Sequence, residues 1–202
     1  MKVRIDKGGM TVLATYIHYG SDYYNPSLTS PARNRAGNTK PADGTGLWAE
    51  REGDVYEDRK VIYGWKKWCE DTKYRVEKLK RKFRFRLSDD ANLLVLQKPE
   101  DLLPLPKTAA WELKDASALR NLPAGEFPTM EQLHEFYGRN PCCLDFEKLL
   151  ADGVDAIELR NSYLFGRYLI YWDCDCLLVL NPAVIVPLMD TSDHVLIQPG
   201  RN

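Results

Sequence analysis

Short apolar runs separated by turn-forming residues dominate the hydrophobic pattern of this chain. The first run, Val12 to Ile17, is rich in β-branched and aliphatic residues and lies between Gly8-Gly9 and Gly20-Ser21. A run of this length between glycine turns is typical of a buried strand. The predicted strand ends in His18 and Tyr19, so an imidazole and a phenol are expected at the edge of a core, within reach of a ligand.

The same reasoning predicts the later elements. Phe83, Phe85 and Leu87 alternate with basic residues, which predicts a half-buried strand with a cationic outer face. A short, mostly apolar segment occupies 46–50. Further strands are predicted at 93–96, 154–159, 177–180 and 184–188. Aromatic residues at near-helical spacing in 63–69 are typical of core packing, and helices are predicted at 111–119, 129–137 and 144–150.

Strands outnumber helices and alternate with them irregularly, which favours an α+β fold over a wound parallel sheet. A chain of 202 residues can bury a proper core, and no composition shift marks a boundary, so 1–202 is expected to form a single domain.

Residues 21–46 contain almost no aliphatic residues, which predicts a long loop that is expected to be functional or mobile. Its residues Arg33, Arg35 and Lys40 could meet phosphate, or they could remain solvated loop charges.

The net charge and the number and spacing of cysteines limit which classes of function are possible. The 28 basic and 29 acidic residues give a net charge of −1, which argues against a dedicated nucleic-acid binder but leaves room for a local basic patch. With no apolar run of about 18 residues and a charged N-terminus, we expect a cytoplasmic protein without a membrane partner. Five cysteines, an odd number, predict reduced thiols, and no cysteine pair has the spacing of a structural zinc site, so no metal is expected.

The order of the predicted segments carries a family resemblance. A strand ending in His-Tyr-Gly-Ser precedes a Lys-Pro and a Gly-Leu-Trp step, then an aromatic helix, VDAIEL and LLVLNPAVI. This order resembles the ADP-ribosyltransferase fold, and it is most similar to the His-Tyr-Glu class to which diphtheria toxin and the poly(ADP-ribose) polymerases belong. The resemblance implies two small antiparallel-rich sheets that form a split cleft with flanking helices.

The resemblance also implies which residues bind NAD. In that family the histidine of the first strand bonds the ribose, the backbone beside it grips the nicotinamide amide, and an aromatic side chain stacks on the nicotinamide ring. That aromatic residue would be Trp48 or Tyr63 here, and Tyr19 is inserted between the histidine and the glycine. The implied NAD-binding set is His18, Tyr19, Gly20, Ser21, Arg33, Arg35, Lys40, Trp48 and Tyr63.

The acid of the family is a glutamate that polarises a ribose hydroxyl and stabilises the positive charge that develops as nicotinamide leaves. The resemblance implies that Glu158, after an apolar run, has this role together with His18. The last segment of such enzymes starts with Glu, whereas 176–182 starts with Cys, which leaves Asp175 and Asp173 as alternative acids. Glu158 could equally be a surface carboxylate paired with Arg160.

The activity implied by the resemblance is transfer of ADP-ribose from NAD to a macromolecular acceptor, protein or nucleic acid, with release of nicotinamide, as in an effector or toxin. An NAD glycohydrolase, or a non-catalytic binding or inhibitor module on the same fold, are the alternatives. Cleaving this bond needs no metal, because the leaving group already carries the positive charge. It needs a cleft, hydrogen-bonding groups, an aromatic wall and one carboxylate.

Overall fold

The computed structural model of the protein describes residues 14–35, 38–108, 142–166 and 168–188. Its strands are β1 (Thr15–Tyr19), β2 (Leu47–Arg51), β3 (Lys82–Leu87), β4 (Leu93–Leu96), β5 (Ala156–Leu159), β6 (Cys176–Val179) and β7 (Ile185–Leu188). The α-helices of these ranges are α1 (Trp65–Thr72) and α2 (Phe146–Ala151). The helices predicted at 111–119 and 129–137, and the beginning of the first apolar run, lie outside the described residues.

The strands form one mixed sheet in the order β4-β5-β6-β2-β1-β3-β7, in which only β4 and β5 run parallel. The α+β class is therefore confirmed. The two sheets expected from the resemblance are instead one sheet, because β1 and β2 are joined. That junction consists of two residue pairs, Tyr16 with Arg51 and Ile17 with Glu50, whereas β1 pairs with β3 along its whole length.

Apolar side chains cover both faces of the sheet. The predicted alternation in β3 is confirmed, since Phe83, Phe85 and Leu87 are buried and pack with Tyr16 on one face. The other face carries the larger core, which includes Trp172 and residues of α2. Full burial of one such side chain contributes roughly 1.5–3 kcal/mol of hydrophobic free energy. Apolar packing on both faces therefore stabilises the sheet.

Helix boundaries follow local chemistry. The side chain of Asp145 caps α2 by accepting the Lys148 N–H at 2.9 Å, and Gly153, at φ 84°, follows the helix, close to where the sequence predicts its end. Helix α1 begins after Gly64 and is followed by Lys73, which has a left-handed backbone. The aromatic segment is thus helical from Trp65 onwards.

The described part of the long loop is tied to the core. Ala32 is fully buried and donates its N–H to Leu180 O at 2.9 Å. The Asn34 side chain bridges to the segment before α2, donating to Leu144 O at 2.6 Å and accepting from Phe146 N at 2.9 Å. These bonds hold the loop beside the sheet. Among the described residues, no helix has both the length and the apolar character needed to cross a membrane.

Candidate functional site

A cleft of about 530 Å³ opens where β1 and β2 separate beyond their two-pair junction. Both strands and helix α1 contribute side chains to its wall. Those that matter most for its chemistry are His18, Tyr19, Trp48, Glu50, Trp65 and Trp68.

The His18 ring packs against Phe83, 5.1 Å between centroids, on the sheet face opposite the Glu50 side chain, and reaches across from β1 to β2. Its Nδ1 lies 2.7 Å from the carbonyl oxygen of Trp48. A carbonyl can only accept, so we assign the proton to Nδ1, which leaves Nε2 as an acceptor in the neutral ring. Burial lowers the pKa of His18 below its ordinary 6.5 and outweighs the opposing hydrogen bond to Trp48. His18 therefore offers a neutral acceptor that suits a hydroxyl group.

Glu50 places a carboxylate in the same cleft. Its Oε1 accepts from the Tyr19 hydroxyl at 2.8 Å, and its Oε2 accepts from the Lys66 N–H in the first turn of α1, also at 2.8 Å. The residue is only 8% exposed, and burial raises its pKa above the ordinary 4.5, although both hydrogen bonds oppose the rise. The carboxylate is thus fixed in position by groups from two other elements.

Gly64 makes this position of Glu50 possible. A Cβ at residue 64 would overlap Glu50 Oε2, so a side chain there would displace the carboxylate or the helix. The glycine precedes α1 and lets the strand approach the helix N-terminus, where a negative charge is favoured.

Aromatic rings line one wall of the cleft. Trp65 and Trp68 stack at 5.0 Å between centroids with an interplanar angle of 21°, and Tyr74 meets both edge-on. Trp48 packs edge-to-face on Trp172 at 4.7 Å. Flat, partly exposed rings of this kind can stack on a planar ligand group.

Basic side chains also line the cleft. Lys40 Nζ lies 5.3 Å from the ring centroid of Tyr171, and Arg75 and Lys78 also line the wall. Arg75 and Tyr171 have left-handed backbones, with φ of 49° and 75°. Such conformations cost roughly 1–3 kcal/mol in non-glycine residues and cluster at functional sites.

Several residues of the implied NAD-binding set lie outside the cleft wall. The Gly20 N–H donates to Arg81 O at 2.7 Å, and the Ser21 hydroxyl donates to Tyr23 O at 2.8 Å, so both shape the turn after β1. The Tyr63 hydroxyl donates to Asp71 at 3.1 Å on the outer side of α1.

The loop arginines are also outside the wall of the cleft. Arg35 forms an exposed ion pair with Asp43 at 3.6 Å, and Arg33 is exposed. Of the three basic loop residues, only Lys40 reaches the cleft.

Glu158 does not share the cleft with His18. It pairs with Leu177, which pairs with Ala49, so its side chain lies on the sheet face opposite Trp48 and Glu50. There it accepts from Arg51 Nε at 2.8 Å and from Arg160 Nε at 2.7 Å.

The pairing of Glu158 with Arg160 is present, but the carboxylate is buried rather than at the surface. Side-chain exposure is 2% for Glu158, 13% for Arg51 and 15% for Arg160. Tyr16 also donates to Glu158, at 3.2 Å. With two guanidinium groups and one phenol, the carboxylate has a complete set of donors within the protein.

The two alternative acids have different positions. Asp175 is buried and accepts from the Ser162 N–H at 2.7 Å and the Tyr56 hydroxyl at 3.0 Å, so it ties loops together away from the cleft. Asp173 lines the cleft but is exposed.

The sequence signals missed Glu50 and the two tryptophans of α1. Glu50 falls within the mostly apolar segment at 46–50 and is two residues from Trp48. Residues i and i+2 of a strand share a face, so this spacing could have placed the acid beside the aromatic side chain.

Two cysteines contribute to the cleft wall. Cys174 and Cys176 line its wall and Cys69 is buried in α1. Burial raises the pKa of Cys176 far above its ordinary range, so this thiol stays protonated and unreactive at neutral pH. Within the described ranges, no group of three His, Cys, Asp or Glu side chains could hold a metal ion.

Comparisons of this chain with protein-family models, with curated proteins and with solved structures found no match.

Removing the Glu158 carboxylate should destabilise the fold. Glu158→Ala leaves Arg51 and Arg160 buried without their partner, so we expect the free energy of unfolding to fall by about 3–5 kcal/mol in chemical denaturation. Glu57→Ala is the control, because Glu57 contacts the same two arginines but is 60% exposed. Its loss should cost less than about 1 kcal/mol. Equal stability of the two variants would contradict the structural role of Glu158.

Proposed function

We propose that the protein cleaves the bond between nicotinamide and ribose in NAD and transfers ADP-ribose to a macromolecule. The observation that carries the proposal is that His18 and Glu50 both line one cleft, together with aromatic rings and cations. These are the groups that the reaction requires. The family resemblance of the sequence supports the same reaction.

The proposed chemistry assigns a role to each polar group. His18 Nε2 accepts a hydrogen bond from a ribose hydroxyl and fixes the sugar. The bond from the anomeric carbon to nicotinamide breaks, and its electron pair leaves with the neutral nicotinamide. The Glu50 carboxylate stabilises the positive charge that develops on the sugar, and a preorganised group of this kind typically contributes about 10²–10³ in rate.

The acid in this proposal is Glu50 rather than Glu158 or Asp175. Glu158 and Asp175 are both buried outside the cleft, with donors supplied by the protein. Asp173 reaches the cleft but is exposed, and solvent screens an exposed charge. Glu50 is buried, fixed by Tyr19 and by the first turn of α1, and open to the cleft.

The cations suit the pyrophosphate of NAD. Lys40, Arg75 and Lys78 line the cleft wall, and side chains of this type bind phosphate by charge-assisted hydrogen bonds. They replace Arg33 and Arg35 in this role. Trp48, Trp65 and Trp68 offer faces on which the nicotinamide and adenine rings can stack.

The first test measures nicotinamide release from NAD by chromatography. We expect Glu50→Gln and His18→Ala each to lower the rate by about 10²–10³, because each removes a group that contacts the reacting sugar. Asp173→Asn, the control in the same cleft, should lower it less than tenfold. With NAD radiolabelled in its ADP-ribose part, label on a macromolecule indicates transfer, and label only in free ADP-ribose indicates a glycohydrolase. Absence of nicotinamide release from the unaltered protein would contradict the proposal and favour a non-catalytic module.

A second test moves Glu50 without changing it. Gly64→Ala inserts a methyl group against the carboxylate, so we expect nicotinamide release to fall at least tenfold. Gly166→Ala is the matched control, since a Cβ there meets no atom within 4 Å. Full activity of Gly64→Ala would show that the position of Glu50 is unimportant for the reaction.

A third test uses pH. The reaction needs ionised Glu50, whose pKa is raised above 4.5 by burial, so kcat/KM should fall with acidification through a midpoint above pH 4.5. The lowered pKa of His18 places its protonation below pH 6.5, in the same region. His18→Gln separates the two groups, because an amide keeps a donor and an acceptor but does not titrate. Persistence of the acidic limb in this variant assigns it to Glu50, and its disappearance assigns it to His18.

A further inference from the structure

We propose that the acceptor is a single-stranded nucleic acid, which binds along an exposed basic strip at residues 73–86. This inference rests on the proposed function and specifies its acceptor. The strip begins at Lys73, directly after α1, and includes the 3₁₀ turn Val76–Lys80 and most of β3.

Positive charge is concentrated in the strip. Eight of its 14 residues are Lys or Arg and only Glu77 is acidic, whereas the rest of the chain has 20 basic and 28 acidic residues. The near-zero net charge of the protein therefore hides a strong separation of charge. A clustered basic surface of this kind is the electrostatic footprint of nucleic-acid binding.

Four of these eight cations remain for the acceptor, since two form ion pairs and two, Arg75 and Lys78, are assigned to the pyrophosphate of NAD. Arg81 pairs with Asp22 and Arg84 pairs with Glu52. For the other six, no carboxylate of the described residues lies within salt-bridge distance, and all six are exposed: Lys73, Arg75, Lys78, Lys80, Lys82 and Arg86. Each phosphate that such a side chain neutralises releases condensed counterions, which favours binding.

The strip leads to the reacting groups. Arg84 pairs with Ile17, which pairs with Glu50, so the basic side chains of β3 and the Glu50 carboxylate lie on one face of the sheet. Arg75 and Lys78 line the cleft. Lys82 lines a second cavity of about 330 Å³, whose wall also includes Glu50.

The second cavity gives the acceptor a route to Glu50. Its wall carries four acidic and four basic side chains, so its charges are balanced, and phosphates are favoured more on the strongly basic strip than inside the cavity. The backbone of the acceptor would follow the strip while one nucleotide reaches the anomeric carbon. An oxygen or nitrogen of that nucleotide forms the new bond, nicotinamide leaves with the old bonding pair, and the acceptor proton passes to Glu50.

A single strand fits this arrangement better than a duplex. Chemistry on a nucleotide requires that it leave the base stack, and a duplex must be unpaired to allow this. A cavity of about 330 Å³ has no room for a duplex. Proteins that bind single strands commonly combine a basic track with aromatic side chains, as the strip and the neighbouring Trp65 and Trp68 do.

The binding test uses fluorescence anisotropy of a fluorescein-labelled single-stranded 20-mer over a series of salt concentrations. We expect tighter binding of the single strand than of its duplex. In Lys80→Ala/Arg86→Ala, the slope of log K against log salt should decrease in magnitude by about 1.4, because each lost phosphate contact removes about 0.7. Lys60→Ala/Lys148→Ala removes two equally exposed lysines elsewhere and should leave the slope unchanged. Equal slopes for the two double variants would overturn the assignment of the strip.

The transfer test adds radiolabelled NAD to the same oligonucleotide. Label on the oligonucleotide, reduced at least tenfold in Lys80→Ala/Arg86→Ala while nicotinamide release without oligonucleotide is unchanged, supports the inference. Nicotinamide release with label only on added protein or in free ADP-ribose overturns the acceptor but leaves the proposed function intact. Oligonucleotide binding without any nicotinamide release overturns both.

Discussion

The short pairing between β1 and β2 is the constraint on which the rest of this structure depends. Two residue pairs keep the sheet continuous at one end, and the strands then separate. A sheet paired along its full length would have no opening there. The separation exposes backbone groups that a ladder would normally satisfy, and His18 satisfies one of them by donating to Trp48 O. The same ring therefore completes the fold and lines the cleft.

A buried ion pair stabilises the short pairing between β1 and β2. Arg51 pairs with Tyr16 across the two strands and also donates to Glu158 on β5. A guanidinium and a carboxylate buried together must be fully hydrogen-bonded to be tolerated, and here Arg160 and Tyr16 provide the additional donors. The network thus links β1, β2 and β5 on one face of the sheet, while Trp48 and Glu50 line the cleft from the opposite face.

Local patterning was sufficient to predict most of the described strands. Alternation in 82–87, the apolar run at 93–96 and the glycine-bounded run before Gly20 each specify a strand without reference to distant residues. The number of sheets was not predictable in this way, because it depends on whether β1 pairs with β2, which are separated by the long loop. Whether β1 pairs with β2 depends on tertiary contacts. The resemblance implied two separate sheets, whereas this pairing joins them into one.

The candidate site was predictable only in part for the same reason. His18, Tyr19 and Trp48 end or begin strands, so a local reading found them. Glu158 has the apolar neighbours that suggest a site acid, but its face is set by the register of β5 on β6, and one residue of register moves a side chain to the other face.

Glu50 illustrates how a buried acid can be hidden in the sequence. Its neighbours Ala49 and Arg51 lie on the opposite face, where they belong to the apolar core and to the ion network. The acid itself is stabilised by the first turn of α1, which approaches closely only because residue 64 has no side chain. A glycine 14 positions later in the chain therefore decides whether this strand can carry a buried carboxylate, and no periodicity within β2 contains that information.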